Sequence, residues 1–299
     1  GALVNRESVN HRTALMEAIS AGELQTIARL TACGADLGHT NAVGQTALDV
    51  AIASGQDWAV WELKGWSEGV DWESNTGVTA LVQAARQGRL DNALQLIERG
   101  ARVDYETKTG LVALVEAAKH GHVDVVNALV SKGADPNRET SVGETPLIAA
   151  AASNHTLAVD AIVEAGAVVD AESTSLCRTA LVAAVDSGSL ESALALLDRG
   201  AKVDYETRDG STALIRAAAI GNLEAIAALV EMGRGNPDTQ NALGATPLIT
   251  AARLGMHQAC KALVAHGAVV DRENAQGVTA LQAVLSDETH ASHPSTVQT

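Results

Sequence analysis

The sequence has almost no large aromatic side chains. Its 299 residues include no Phe, two Tyr and four Trp, although 46% of the residues are apolar. Bulky rings dominate the core of a compact globular domain, so a single thick core is not expected. The apolar fraction comes from Ala, Val, Leu and Ile, which predicts a thin core of small side chains in a stacked array.

Cysteine, basic residues and long apolar runs are also scarce. The three cysteines lie far apart, which argues against a disulfide framework and favours a reducing compartment, so we expect a cytoplasmic protein with the nucleus left open. We expect Cys260 to lie in the core. No 18-residue stretch is free of charges or breakers, and no signal-peptide pattern is visible, so no membrane insertion is expected. The 21 Lys and Arg against 36 Asp and Glu give a net charge of −15, which disfavours nucleic-acid binding.

Glycine, by contrast, is abundant and regularly spaced. Most of the 26 glycines fall into three columns whose members recur every 33 residues, or at multiples of 33 with one or two residues added. The first column is Gly44, Gly77, Gly110, Gly143, Gly210, Gly244 and Gly277; the second is Gly22, Gly55, Gly88, Gly121, Gly188, Gly221 and Gly255; the third is Gly1, Gly34, Gly100, Gly133, Gly166, Gly200, Gly233 and Gly267. Such spacing indicates a structural repeat with turns that need glycine.

Each repeat is predicted to contain two helices. The first begins at a Thr-Ala-Leu or Thr-Pro-Leu motif, because Thr is a good N-cap and Ala or Pro suits the first turn, and it ends at the second glycine column. The second helix has apolar residues at helical spacing and ends at the third glycine column. An extended, turn-rich segment of the form Ala-x-Val-Asp-x-Glu, here called the finger, then leads to the next repeat. The predicted capping residues are Thr13, Thr46, Thr79, Thr145, Thr179, Thr212, Thr246 and Thr279, whereas Val112 stands in the same column without a hydroxyl.

This pattern resembles the ankyrin repeat, whose family sequence is G-x-T-P-L-H-x-A-A-x-x-G-H-x-x-x-V-x-x-L-L-x-x-G-A-D-V-N. Residues 143–150 read Gly-Glu-Thr-Pro-Leu-Ile-Ala-Ala, and residues 129–137 read Leu-Val-Ser-Lys-Gly-Ala-Asp-Pro-Asn. The His after Pro-Leu is absent from every repeat, so the polar network that it provides is not assumed. The resemblance implies an all-α fold, an ankyrin-repeat solenoid of helix-turn-helix units with projecting β-hairpin-like fingers.

The same columns predict the domain organisation. Residues 1–285 form the repeat array, with a partial repeat at 1–7, eight full repeats over about 8–274 and a partial repeat at 275–285. Residues 286–299 are predicted to be a disordered tail.

A longer period is also present. Tyr105 and Tyr205 stand 100 residues apart within the sequence Val-Asp-Tyr-Glu-Thr, and Pro136 and Pro237 stand 101 apart. We infer that a block of three repeats was duplicated.

The sequence gives no basis for catalysis. No nucleophile stands beside a base in a recognisable motif, and we expect no enzyme activity, no cofactor and no metal. The nearest candidate for a metal ligand pair is His120-Gly121-His122, but the ankyrin pattern places Gly-His at the turn between helices. A structural role is therefore favoured over zinc binding.

The fingers carry a periodic set of acids. An Asp recurs where a short acceptor could bond local backbone, so a turn-forming role is predicted for Asp71, Asp104, Asp170, Asp204 and Asp271. A Glu recurs two residues later, at Glu7, Glu73, Glu106, Glu139, Glu172, Glu206 and Glu273. Stacked fingers would align these acids as an acidic ladder along one edge. The ladder is either a solvated edge, partly neutralised by Arg138 and similar residues, or a docking strip for a basic partner.

The predicted function is a non-catalytic protein-binding scaffold, because between the ladder acids stand residues suited to anchor a partner. The partner is expected to be a protein or peptide, for which a basic surface would suit the ladder, and the array is expected to be monomeric. A basic spot at the ends of the first helices could instead receive a carboxylate of the partner. The predicted contact residues are Trp72, Glu73, Arg86, Tyr105, Glu106, Lys119, His120, Arg138, Glu139, Glu172, Tyr205 and Glu206. A structural spacer within a larger multidomain protein or enzyme, and a bacterial effector module, are the alternatives.

Two local features leave questions open. All four tryptophans lie in one irregular repeat, at Trp58, Trp61, Trp66 and Trp72. They are interpreted either as core residues of a shifted helix or as an exposed second interface. Asn137 lies at the spacing from Leu129 and Asp135 that the resemblance associates with asparaginyl hydroxylation, although Pro136 replaces the usual Val.

Overall fold

The computed structural model describes residues 4–21, 23–55, 71, 73, 77–98, 100–232 and 235–291. Within these ranges the secondary structure is entirely helical, with sixteen α-helices and no strand. The helices are α1 Ala14–Ala21, α2 Leu24–Ala32, α3 Ala47–Ala53, α4 Ala80–Arg86, α5 Leu90–Glu98, α6 Ala113–Lys119, α7 Val123–Ser131, α8 Pro146–Ala152, α9 Thr156–Glu164, α10 Ala180–Ser187, α11 Leu190–Asp198, α12 Ala213–Ile220, α13 Leu223–Glu231, α14 Pro247–Arg253, α15 His257–Ala265 and α16 Ala280–Ala291. No helix in the described part of the chain is long and apolar enough to cross a membrane.

The chain divides into two compact units, Gly1–Ala150 with Asp160–Ala167, and Ala151–Val159 with Val168–Thr299. In the first unit, the first helices of successive repeats (α1, α3, α4 and α6) pack side by side, and α2, α5 and α7 each pack against the first helix of the same repeat. In the second unit, α10, α12, α14 and α16 form such a row, and α11, α13 and α15 pack against it. Each unit therefore buries a thin layer of Ala, Leu, Ile and Val between two rows of helices, as the composition predicts.

The threonine columns cap the first helices as predicted. Each of the eight threonine hydroxyls accepts a hydrogen bond from the backbone N–H three residues later, at distances between 3.1 and 3.4 Å. Thr46 also forms a capping box, because the Asp49 carboxylate accepts from the Thr46 N–H at 2.8 Å. Asp49 occupies the column of the family His, and burial raises the pKa of its carboxyl.

Val112 is the exception in this column, and it lacks a side-chain cap. It is fully buried and packs with Val115 and Ala149. We expect Val112→Thr to raise the free energy of unfolding by about 1 kcal/mol, because the hydroxyl would accept from the Val115 N–H at the start of α6. The reverse change, Thr212→Val, should lower it by a similar amount. Urea denaturation followed by circular dichroism tests both, and a destabilised Val112→Thr variant would show that burial of the hydroxyl outweighs the cap.

The glycine columns adopt the left-handed backbone conformation that the turns require. In the first two columns the described glycines have φ between 66° and 83°, as Gly44 and Gly143 illustrate at 81° and 83°. Among the residues that the structure describes, the non-glycine residues with positive φ stand in the same two columns: His11 (56°) and Cys177 (47°) in the first, and Asn154 (59°) in the second. The fold therefore imposes this conformation even where the sequence supplies a β-carbon.

Cys177 is consequently a strained position. Asn tolerates the left-handed region through local hydrogen bonding, whereas Cys has no such compensation. We expect Cys177→Gly to raise the free energy of unfolding by up to about 1 kcal/mol. Thermal unfolding of the variant beside wild type measures this, with Asn154→Gly expected to change stability less; a destabilised Cys177→Gly would contradict the strain.

Three further predictions concern Cys260, the four tryptophans and the C-terminal tail. Cys260 was expected in the core, but it is half-buried on α15; its side chain is desolvated enough to raise the thiol pKa. The four tryptophans lie outside the described residues, so their two interpretations stay open. The last helix continues to Ala291, past the predicted end of the array at residue 285, and residues 292–299 of the predicted tail lie outside the described part.

Candidate interaction surface

The fingers are tight hairpin-like turns held by backbone hydrogen bonds. In the finger after α5, Thr107 donates its N–H to the Leu111 carbonyl at 2.9 Å, and the Gly110 N–H bonds to the Thr107 carbonyl at 2.9 Å. The fingers that begin at Thr140 and Thr207 repeat both bonds. These two hydrogen bonds are too few to form a strand, but they hold each of the three fingers in its turn.

The finger aspartates connect one finger to the next. The carboxylates of Asp71, Asp104 and Asp170 accept hydrogen bonds from the backbone N–H groups of Arg102, Asp135 and Lys202, at 3.0, 3.2 and 2.9 Å. In each case the donor lies in the following repeat. The predicted turn-forming role was therefore wrong for these three residues, because the stacked neighbour offers an N–H that a tight turn would otherwise leave unpaired.

The finger glutamates form a second set of connections between repeats. Five of these carboxylates accept a hydrogen bond from a backbone N–H group, at distances from 2.6 to 3.1 Å. The pairs are Glu7 with Ala42, Glu73 with Lys108, Glu106 with Ser141, Glu172 with Arg208, and Glu206 with Ala242. The Glu139 carboxylate is half-buried in the same column. The acidic ladder is thus built into the stacking of the fingers, and its carboxylates are not simply a solvated edge.

The predicted anchor residues are fixed by the ladder. The Tyr105 hydroxyl donates to Glu73 at 2.7 Å, Arg138 Nη2 donates to Glu106 at 3.3 Å, and the Tyr205 hydroxyl donates to Glu172 at 3.3 Å. Each pair joins a finger to the finger before it.

The finger around Tyr105 carries an additional cation. Arg102 Nε donates to Asp71 at 2.8 Å while its guanidinium lies 4.3 Å from the centroid of the Tyr105 ring. The hydrogen bond from Tyr105 lowers the pKa of the Glu73 carboxyl, and the same bond raises the pKa of the Tyr105 phenol. The ring is thereby held at a fixed orientation while part of it stays exposed.

The ends of the first helices form the second part of the predicted surface. Arg86 Nε donates to Glu116 at 2.8 Å, and the Glu116 side chain is only 4% exposed while Arg86 is 34% exposed. Lys119 lies 3.5 Å from Glu144, and His120 is partly exposed beside Glu116. Each predicted cation of this basic spot therefore has an acidic neighbour.

The histidine pair is explained by packing between repeats. The His120 and His122 rings stack with centroids 6.2 Å apart, and His122 Nε2 lies 3.0 Å from the Arg86 carbonyl. His122 also lies against the Gly88 turn of the preceding repeat. Within the described residues, no group of three or more His, Cys, Asp or Glu could hold a metal ion.

Comparison with known proteins agrees with this geometry. A family model described as ankyrin repeats, in three copies, matches residues 60–140, 114–209 and 214–290. The chain belongs to the ankyrin repeat family. Among solved structures, it is similar to the human ASB11 ankyrin repeat domain, with 31% identity and a TM-score of 0.61 over 73% of this chain and 99% of that one. It is also similar to the ankyrin repeat domain of Bcl-3, described as a unique member of the IkappaB protein family, with 26% identity and a TM-score of 0.62 over 69% of this chain and 94% of that one. A search of curated proteins gave no match.

In this ankyrin array, the predicted contact residues fall into three groups. The first unit holds the finger group Glu73, Tyr105, Glu106, Arg138 and Glu139 and the helix-end group Arg86, Lys119 and His120; the second unit holds Glu172, Tyr205 and Glu206. Trp72 lies outside the described residues. Sequence reasoning missed Arg102, Glu116 and the ion pair of Asp186 with Arg216, although opposite charges 30 or 31 residues apart were the signal for all three.

The ladder predicts acid sensitivity. The pKa of Glu106 lies below its usual value of 4.5 because the carboxylate accepts hydrogen bonds from Ser141 and Arg138, and Glu7 and Glu73 are lowered as well. A carboxyl whose pKa is lower in the folded chain than in the unfolded chain stabilises the fold at pH values above its unfolded pKa. This stabilisation is lost as the pH falls through the folded pKa. We therefore expect the free energy of unfolding to decrease when the pH is lowered below about 4.5.

Glu106→Gln separates this effect from general acid denaturation. It should be less stable than wild type at pH 7, and this deficit should shrink at pH 3, because protonation of Glu106 removes the charge that the two proteins do not share. Urea denaturation at the two pH values is the measurement, and an equal deficit at both would show that the charge of Glu106 contributes nothing.

Proposed function

We propose that this ankyrin array is a non-catalytic module that binds a partner protein through its fingers and the adjoining ends of its first helices. Ankyrin repeats generally serve as protein interaction modules. The observation that carries the proposal is the hydrogen bond from Tyr105 to Glu73 at 2.7 Å, which holds a partly exposed aromatic ring in place before any partner arrives.

This arrangement favours binding because the ordering cost is already met within the array. Immobilising a flexible interface side chain costs about 0.5–1.5 kcal/mol. Tyr105, Arg138 and Tyr205 are each held by an acid of the preceding finger, so a partner would meet side chains that have little freedom left to lose. Aromatic and Arg side chains are also the residues that most often dominate interface energetics.

The chemistry of the partner follows from the charges that remain accessible. A carboxylate can accept up to about four hydrogen bonds, so ladder acids that already bond an N–H keep capacity for a cationic partner. Glu206 is exposed although it accepts from Ala242, so it is open to such a contact. A protein with a basic surface therefore fits the fingers, and the affinity should fall with increasing salt.

The experiment is affinity capture from lysate of the source cells, followed by mass spectrometry. Wild type is compared with a Tyr105→Ala/Arg138→Ala/Tyr205→Ala variant and with a control that changes three exposed residues of the second helices and their ends, Glu98→Ala/Lys132→Ala/Lys261→Ala. A partner retained by the control and lost from the finger variant supports the proposal. Partners lost equally from both variants, or from neither, would reject the fingers as the binding site.

Acid-to-Lys changes are less suitable probes of binding here. Glu106→Lys would also remove the acceptor for the Ser141 N–H at 2.6 Å, so it would weaken the stacking of the fingers. A salt titration of the captured wild-type complex tests the basic partner without this complication.

A further inference from the structure

An exposed leucine lies at the tip of a finger in the second unit, beside two acids of the preceding finger. Leu243 is 68% exposed. Its Cδ1 atom lies 3.5 Å from the point where a β-carbon of Gly210 would stand, and Glu206 Oε1 lies 3.7 Å from the same point. Asp209 directly precedes Gly210, and its side chain is exposed, as is that of Glu206. Leu243, Glu206 and Asp209 therefore form one surface across two fingers, here called the acidic tip.

The fold does not require an aliphatic side chain at the position of Leu243. The same column, directly before the first-column glycine, holds Thr109 and Gln276, which are both exposed. The exposed Ala242 and Ala275 extend the apolar surface around the leucine. An apolar centre with a charged rim is the usual composition of a protein interface.

The two acids of the tip keep part of their hydrogen-bonding capacity. Glu206 Oε1 accepts from the Ala242 N–H at 2.7 Å, and Asp209 Oδ1 accepts from the Ser211 N–H at 3.0 Å and from the Thr207 hydroxyl. Within the described part of the chain, the second oxygen of each carboxylate accepts no hydrogen bond, and neither acid forms an ion pair. Both carboxylates can therefore still accept hydrogen bonds from a cation of a partner.

The cations near the acidic tip do not balance its charge. In residues 202–211 and 236–245, which form the two fingers, four acids stand against two cations: Asp204, Glu206, Asp209 and Asp238 against Lys202 and Arg208. Arg208 also lies 4.0 Å from Glu172 of the preceding finger. Arg216 on α12 is held by Asp186 through two hydrogen bonds of 2.9 Å each. The tip therefore complements a cationic ligand.

The corresponding tip of the first block is less acidic. There Arg138 donates to Glu106 at 3.3 Å, whereas the residue 101 positions after Arg138 is Thr239, which offers no charge. The second acid of the tip, Asp209, also has an uncharged counterpart, because Thr109 stands 100 residues before it. Free acids at the tip are thus a local difference between the blocks and not a requirement of finger stacking.

The spacing within the acidic tip suits an extended ligand. Leu243 Cδ1 and Glu206 Oε1 lie within 3.7 Å of one common point, so the apolar and the acidic groups are neighbours. Alternate side chains of an extended segment point to the same side and stand about 7 Å apart. An apolar side chain and a cation two residues apart can therefore reach both groups.

We propose that the acidic tip docks an extended basic segment of a partner protein, in which a large aliphatic residue stands two residues from an Arg or Lys. The aliphatic side chain covers Leu243, and the cation bonds to Glu206 or Asp209. This inference rests on the proposed protein-binding function and specifies the chemistry of the partner at one place on the fingers.

The test titrates a fluorescent peptide, Gly-Arg-Ser-Arg-Ser-Leu-Ser-Gly, with the full chain and follows its anisotropy. Two further peptides replace both Arg with Glu, or Leu with Ser. The variant Asp209→Thr/Thr239→Arg gives the tip the residues that the first block carries at these positions. Leu243→Thr places there the side chain that Thr109 has in the same column.

The matched control is Asp198→Asn/Glu224→Gln, which removes two exposed charges from the second helices of the same unit. Its net charge equals that of Asp209→Thr/Thr239→Arg, so the pair separates the position of the charges from their number. Circular dichroism checks the fold of every variant.

The Arg-Leu peptide should bind wild type and the control equally. Asp209→Thr/Thr239→Arg and Leu243→Thr should each bind it at least about fivefold more weakly, because they lose ion pairs or the burial of an aliphatic side chain. The Glu and Ser peptides should bind wild type more weakly. Absence of saturable binding, undiminished binding by either tip variant, or an equal loss in the control would overturn the proposal. If captured partners still depend on Tyr105, Arg138 and Tyr205 in that case, the proposed function stands and only the acidic tip is rejected.

Discussion

Exchanging the charges of Arg86 and Glu116 is expected to restore stability that either change alone removes. Glu116→Arg should lower the free energy of unfolding by about 3 kcal/mol, because breaking a buried ion pair leaves an uncompensated charge and here also sets two cations together. Arg86→Asp should cost about 2 kcal/mol, since Arg86 is partly exposed and solvent screens the repulsion of the two carboxylates.

The expected rescue comes from the second block, where the same positions carry the opposite charges. Asp186 and Arg216 stand 100 residues after Arg86 and Glu116, and they form two hydrogen bonds at 2.9 Å. The hydrogen bond from Asp186 also raises the pKa of the Arg216 guanidinium. The double variant Arg86→Asp/Glu116→Arg copies this pair, so its stability should return to within about 1 kcal/mol of wild type.

Urea denaturation of the four proteins forms a double-mutant cycle, and the coupling energy is read from it directly. A double variant no more stable than Glu116→Arg would show that the two pairs depend on their surroundings and are not interchangeable. The variant Asp186→Arg offers an independent check. It sets two arginines together as Glu116→Arg does, so its loss of stability should be about as large as that of Glu116→Arg.

The local elements could be predicted from the sequence because each depends on residues close in the chain. A Thr hydroxyl reaches the N–H three residues later whatever surrounds it, so the caps follow from the Thr column and the missing cap from Val112. The left-handed turns follow in the same way from the glycine columns, and even Cys177 adopts the conformation of its column. These features needed no knowledge of how repeats stack.

The contacts between repeats were harder to predict because their partners carry no side-chain signature. Glu106 bonds to the backbone N–H of Ser141, and Asp104 to that of Asp135, although any residue other than proline offers the same donor. The periodic acids were visible, but whether they faced solvent or the next finger depended on the stacking distance. The ion pairs were also missed, although they do carry a signal in the sequence: Arg86 with Glu116 and Asp186 with Arg216 show reversed charges in the two blocks.

Gly244→Ala is expected to destabilise the second unit by about 3 kcal/mol, for two reasons that add. Gly244 has a φ of 76°, where a β-carbon costs about 1–2 kcal/mol. The added β-carbon would also overlap the backbone nitrogen of Ala275 in the next finger and lie 2.6 Å from the Ala275 β-carbon. Because a backbone atom cannot rotate away as a side chain can, the fingers would have to move apart, at a cost of about 1–3 kcal/mol.

Gly188→Ala is the matched control, because it carries the first cost without the second. Its φ is 70°, and nothing lies within 4 Å of the position that a β-carbon would take. It should lose only about 1–2 kcal/mol, and the difference between the two alanine variants measures how tightly one finger stacks on the next. Urea denaturation followed by circular dichroism provides both values. Equal losses would mean that the fingers can separate freely at Gly244, and the contacts through which Glu206 bonds to Ala242 would then have to be loose as well.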